Sequence, residues 1–213
     1  MFRHFAEKYD LVYFGRFHQD DHEHMVSGVT VSTAHNDQHC CVGTVHGRDM
    51  VALRRTDSVS TPLTDKREHY SWDIMQFDLT SGYDFSHVFL DGGHHDELFY
   101  QTLFMKFARL MKIDKSFFGD DGHQFAEQFT AYTPPDAVDD LFALLTKDTS
   151  QVLATHFAHL DFEWFQDRLL VYTTGRPSSA HGLEHMLRAG LWLTDHLDAY
   201  GKAALAPKET ATE

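Results

Sequence analysis

The spacing of apolar positions changes twice along the chain, and each change marks a different kind of element. Phe2, Phe5, Ala6 and Tyr9 recur at helical spacing and predict a short opening helix with an aromatic stripe. "LVYFGRF" then reads as a first strand. Between Val26 and Val59, "MVSGVTVST", "HCCVGTVHG" and "MVALRRTDSV" are rich in Val and Thr and bounded by the turn formers "HNDQ" and "GRD", which predicts an antiparallel meander. "STPLTDKRE" is a polar loop. In "YSWDIMQFDLTS" the alternation sends Trp72, Ile74 and Gln76 to one face and Asp73, Met75 and Phe77 to the other, and "SHVFLDGG" is a further strand.

After Gly93 the period lengthens. Leu98, Leu103, Phe104, Phe107, Leu110 and Met111 mark one broad apolar face of a helix. "DKSFFGDDGHQ" reads as a loop and "FAEQFTAYTPP" as extended chain. "DAVDDLFALLTKDTSQVLATHFAHL" predicts two short helices, opening at the capping residues Asp136 and Thr149 or Ser150. "DFEWFQDRLLVYTTG" alternates on both sides of Gln166-Asp167, as a hairpin would. Ala180 to Tyr200 is an amphipathic helix, and residues 206–213 are a disordered tail. The expected fold class is α+β: an antiparallel β-rich N-terminal half, then a helix-rich C-terminal half containing a β-hairpin and a final amphipathic helix. Residues 1–205 are expected to form one domain, with subdomains 1–115 and 125–205 meeting at the loop from Ser116 to Gln124.

From Phe125 to Tyr172, "FAEQFTAYTPP", "LFALL" and "HLDFEWFQDRLLVY" follow one another in an order that resembles a segment of a family of uncharacterised bacterial proteins. In that family an F-x-x-x-F-x-x-Y strand, a proline-led short helix and a strand pair with an acidic-aromatic stretch recur. Many of its members carry membrane-spanning segments, whereas no window here approaches the ~18 uninterrupted apolar residues a spanning helix needs. The resemblance implies a soluble bacterial protein and assigns no functional residue.

Composition narrows the partners. At 213 residues, 42% hydrophobic and 14% aromatic, the chain has enough apolar material for a single core. The balance of 32 Asp and Glu against 18 Lys and Arg gives a net charge of −14, which repels phosphate backbones and anionic lipid heads. Neither nucleic acid nor membrane is expected as a partner, a protein or small ligand is, and the oligomeric state is left open. Full protonation of the 17 histidines would carry the net charge from −14 to +3, so the surface charge is steeply dependent on pH. The adjacent Cys40 and Cys41 read as reduced, buried thiols, because a bridge between neighbours is strained. With no apolar leader in "MFRHFAEKYD", a cytoplasmic location is expected.

Five stretches are candidates for chemistry. "VFLDGGHHDE" offers Asp91, His94, His95 and Asp96, similar to the His-Asp pair of metal-dependent phosphohydrolases. Further ligands would come from "HQDDHEH", chiefly His22 and His24 beside His18, Asp20 and Asp21, and from "HFAHLDFE", with His156, His159, Asp161 and Glu163. Such a nitrogen and oxygen set suits zinc, manganese or iron. The same "VFLDGG" is similar to the strand that runs into the S-adenosylmethionine pocket of class I methyltransferases, but the glycine-rich turn of that fold is missing upstream. "HGLEH" at His181 to His185 matches an inverted zinc-protease motif. There the stripe of Leu183, Leu187, Leu191 and Thr194 is expected to put His181, His185 and His196 on the solvent face. "FFGDDGHQ", with Asp120 and Asp121, lacks the spaced oxygens of a calcium loop. The leading expectation is therefore a non-enzymatic, acidic, histidine-rich domain with no cofactor that binds a protein or small ligand. A metal-dependent hydrolase is the alternative, and a methyltransferase the remote one.

Overall fold

A computed structural model of the protein describes residues 1–16, 25–32, 35–60, 67–92, 109–119, 122–174 and 178–206. Nine strands form one antiparallel sheet: β1 (Val12–Arg16), β2 (Asn36–Val45), β3 (Arg48–Ser60), β4 (Arg67–Asp78), β5 (Phe85–Asp91), β6 (Met111–Lys112), β7 (Thr130–Thr133), β8 (Asp161–Gln166) and β9 (Arg168–Thr174). Their order across the sheet is β1-β2-β3-β4-β9-β8-β5-β7-β6. The helices are α1 (Phe2–Lys8), α2 (His123–Gln128), α3 (Val138–Leu144), α4 (Lys147–His156) and the long α5 (Ala180–Leu205), with 3-10 turns at Lys115–Phe118 and Pro135–Ala137.

The expectation of a β-rich half followed by a helix-rich half is overturned. The sheet is the dominant element and draws strands from the whole chain. The hairpin β8–β9 is not part of a separate helical half but lies in the middle of the sheet, pairing with β4 on one side and β5 on the other. Its sequence explains the position. Phe162, Trp164, Leu169 and Val171 face one way and Leu170 and Tyr172 the other, all buried, as suits strands covered on both faces.

One face carries the larger core. Met75, Phe77, Val88, Leu90, Phe162, Trp164, Leu169 and Val171 meet Phe2 and Phe5 of α1, Phe125 of α2, Leu141 and Leu144 of α3, Leu153 of α4 and the Leu183, Met186, Leu187, Leu193 and Leu197 stripe of α5. The opposite face is smaller: Leu53, Trp72, Ile74, Phe89, Tyr132, Leu170 and Tyr172 lie with Val26 and Val29 from segment 25–32. Cys40 and Cys41 illustrate the alternation, one thiol joining each core.

Several local expectations are corrected. The described part of "MVSGVTVST" is an irregular strap and not a strand, since Val26 and Val29 both point inward at a spacing of three. In "FAEQF", Phe125 and Phe129 at i and i+4 belong to a helical turn, and only Thr130–Thr133 is extended. The helix within 138–144 starts after a 3-10 turn with no side-chain cap, and Thr146, not Thr149 or Ser150, caps α4 by accepting the Thr149 N–H at 3.3 Å. The helix expected after Gly93 falls at 93–108, outside the described residues, and Met111 at its expected end is in β6.

Two features fix α5 to the sheet. Asp198, buried on α5, accepts the N–H groups of Thr80 and Ser81 at 2.8 Å each, the Thr80 hydroxyl at 2.6 Å, and the Arg48 guanidinium. Burial alone would raise its pKa, but the bonds from Thr80 and Arg48 outweigh it and hold the carboxyl below its usual range. At Gly190 the helix lies directly on Phe77: a Cβ there would come within 2.1 Å of the ring. Gly190→Ala gains about 1 kcal/mol of helix propensity, yet it forces the helix off a fully buried ring at an overpacking cost of about 1–3 kcal/mol. The expected net result is a lower urea midpoint than the parent protein. Among the described residues no helix is long and apolar enough to cross a membrane.

Candidate functional site

The smaller face of the sheet concentrates the buried polar groups. Alternation in β5 turns His87, Phe89 and Asp91 to this face, and alternation in β8 turns Asp161, Glu163 and Phe165 to it. Because Leu90 pairs with Phe162 and the strands are antiparallel, Asp91 stands opposite Asp161, two residues along from the Phe89–Glu163 pair on the same face. Asp91 and Asp161 are each 2% exposed and Glu163 is fully buried. Asp161 accepts the N–H of Gly92 at 3.0 Å, closing the end of the strand.

Glu163 is the centre of the arrangement. Both of its oxygens accept the Val29 N–H, at 3.1 and 3.0 Å. Oε1 also lies 2.6 Å from His87 Nε2, which carries the proton in this geometry, and Oε2 accepts the hydroxyl of Tyr172. Burial first, and the Glu163 charge second, push the Tyr172 phenol well above its ordinary range, so it stays a donor. The strap can come this close because Gly28 has φ +101°, and a Cβ on it would stand 2.5 Å from the Tyr172 hydroxyl and 2.6 Å from Glu163 Oε2.

A second buried charge holds the same strap. Arg55 on β3 is fully buried and donates Nε and Nη2 to the two oxygens of Asp37, both at 2.8 Å, a bidentate pairing. It also donates to Thr30 Oγ1 at 3.0 Å and to the Val26 carbonyl at 2.8 Å. Arg168 reaches Ser27 Oγ at 3.0 Å. The sheet thus seizes the strap at Val26, Ser27, Val29 and Thr30, and the buried charges that hold it, Glu163, Arg55 and Asp37, are met by hydrogen bonds, the condition under which charge is tolerated in a core.

The sequence-predicted ligands are divided by the fold. Of the metal candidates, Asp91 lies in this centre, while His22, His24, His94, His95 and Asp96 lie outside the described residues, as do His18, Asp20, Asp21, Asp120 and Asp121. "HFAHLDFE" splits: Asp161 and Glu163 enter the sheet face, whereas His156 ends α4 and His159 stacks on His185 of α5, ring centroids 4.8 Å apart. "HGLEH" is also corrected. His181 is exposed as expected, but His185 and His196 are half-buried, because the loop after α4 and α4 itself pack along that flank of α5. His196 Nε2 lies 2.9 Å from the Thr149 hydroxyl. Among the described residues no group of three His, Cys, Asp or Glu is arranged to hold a metal ion. The strand carrying Asp91 runs antiparallel to both neighbours, unlike the parallel sheet of a methyltransferase pocket. Burial pushes the thiols of Cys40 and Cys41 up to about 11 and about 12, which leaves them protonated and unreactive.

Sequence reasoning missed His87, Tyr172, Val29, Arg55 and Asp37. The period of two held a signal for one of them: His87 stands two and four residues before Phe89 and Asp91, on the same face. Val29 and Asp37 enter only through tertiary placement of the strap and of β2.

No family model matches the chain, and no curated protein matches it. The chain is similar in fold to the crystal structure of the mycobacterial trehalose monomycolate transport factor A, TtfA, with a TM-score of 0.59, 12% sequence identity, and coverage of 98% of this chain and 96% of that one. At that identity the likeness is one of fold. It spans the whole sheet and its helices and not a local motif.

Proposed function

We propose that the protein is a non-catalytic binding domain, an accessory factor that engages a protein or small ligand. The observation that supports this reading is the internal use of the buried chemistry. Glu163 is occupied by Val29, His87 and Tyr172, Arg55 by Asp37, Thr30 and Val26, and all of these bonds tie a strap to a sheet. A general acid or base needs an atom within reach of a substrate, and these atoms are spent on structure. The neighbour of like fold is called a transport factor, a description that names no reaction, and we place this chain with accessory factors on the same footing. The excess of acids disfavours polyanionic partners. Two free, buried cysteines suit a reducing compartment, and we place the protein in the cytoplasm.

A metal-dependent hydrolase is the second reading, favoured by one observation: Asp91 and Asp161 stand side by side at the point where the sequence continues into His94, His95 and Asp96. Elemental analysis of protein purified without an affinity tag decides between them. The binding-domain reading expects the protein to be folded with substoichiometric zinc, manganese and iron. One equivalent of any of these, lost together with the fold or with a phosphatase activity on chelation, would establish the hydrolase instead.

A further inference from the structure

A line of rings runs between α5 and the chain that packs along it. His159 stacks on His185 with an interplanar angle of 11°, His185 lies 5.3 Å from Phe157, Phe157 lies 5.8 Å from Trp192, and Trp192 stacks on His196 at 6.0 Å. Two of the five rings come from the loop at 157–160 and three from α5. We propose that the stacked pair His159–His185 is an acid-responsive contact, which holds the 157–160 loop on α5 while the His185 imidazole is neutral and releases it when that ring takes up a proton. The proposal concerns the helical side of the sheet and stands whether or not the domain binds a ligand on the other.

The surroundings make protonation costly. His181 and Arg188 share the helix with His185, one turn before it and three residues after it, and His159 faces it from the loop. Arg188 Nη2 lies 3.3 Å from His185 Nδ1. The nearest carboxylate on the helix, Glu184, is turned to Lys8 of α1 at 2.5 Å. His156, at the end of α4, opposes the others weakly through its backbone. Burial first, then the charges of His159, Arg188 and His181, hold the His185 imidazole below the ordinary histidine range. Because the folded protein takes up this proton at a lower pH than the unfolded chain, the contact contributes fully above about pH 6.5 and weakens as pH falls from there through the folded value. Trp192 and Phe157 are next in line, so release uncovers aromatic surface.

Hydrogen exchange read by mass spectrometry at pH 7.5 and pH 5.5, corrected for the intrinsic pH dependence of exchange, tests this. The expected result for the parent protein is a loss of protection on the order of tenfold in peptides covering 157–160 and 181–192, with β3 and β4 unchanged. His159→Gln changes an exposed residue and His185→Gln keeps a polar planar side chain. Either is expected to retain protection at pH 5.5. Retained protection in the parent protein, an equal loss in both variants, or a loss spread evenly over the sheet would each overturn the proposal.

Discussion

Glu163→Ala lowers the stability of the protein by about 4 kcal/mol, measured as the urea midpoint at constant slope. The magnitude follows from what is left behind. The Val29 N–H, the Tyr172 hydroxyl and His87 Nε2 all donate to this carboxylate, and a buried donor that loses its partner costs about 1–3 kcal/mol. The side chain is fully buried, so truncation also opens a cavity. Tyr172→Phe removes one donor and leaves the acceptor well supplied, so it is expected to cost about 1 kcal/mol. Glu163→Gln falls between them, because an amide keeps one acceptor oxygen but turns an NH2 group toward groups that themselves donate. A Glu163→Ala protein within 0.5 kcal/mol of the parent would show that the strap is held by its valines and not by this carboxylate.

Arg55→Ala is expected to be equally severe, at about 3–5 kcal/mol, since it leaves the Asp37 carboxylate buried without its bidentate partner. The informative comparison is the double variant Arg55→Met/Asp37→Leu. Two apolar side chains of similar bulk remove both charges together, and buried ion pairs replaced in this way are often neutral or stabilising. The double variant is therefore expected to recover most of the loss, short of the bonds Arg55 makes to Thr30 and to the Val26 carbonyl. If it were no better than Arg55→Ala alone, the strap contacts would outweigh the ion pair, and Arg55 would matter as a clasp on the backbone more than as a charge.

What the sequence disclosed was local. The alternation of Trp72 and Ile74 against Met75 and Phe77 describes β4 as it stands, the hairpin turns at Gln166–Asp167, and the final helix starts at Ala180. Pairing between distant strands was not legible, because period-two patterning says which way a side chain points and nothing about which strand lies next to it. The error over the C-terminal half has that origin: β8 and β9 were recognisable as a hairpin, but their insertion between β4 and β5 was not. The strap misled for a related reason. Val and Thr enrichment in "MVSGVTVST" is the composition of a strand, yet Arg55 and Glu163 take its backbone groups and leave no ladder to join. Of the candidate site, Asp91, Asp161 and Glu163 were visible as acids, and their common face follows from spacing. Their distance from His156 and His159 does not, since one turn of chain at Leu160 sends the two pairs to opposite sides of the sheet.

The central position of β8–β9 governs how the molecule can assemble during synthesis. The chain makes β4 and β5 early, with 6 residues between them, but neither can pair along its inner edge until the hairpin at 161–174 exists. Until then a nascent chain holds two long, apolar strand edges open, the situation in which strands find the wrong partner. Closing the sheet is a late, long-range event, and such topologies fold slowly. A chain that ends before Asp161 would lack not a peripheral hairpin but the middle of its only sheet among the described residues.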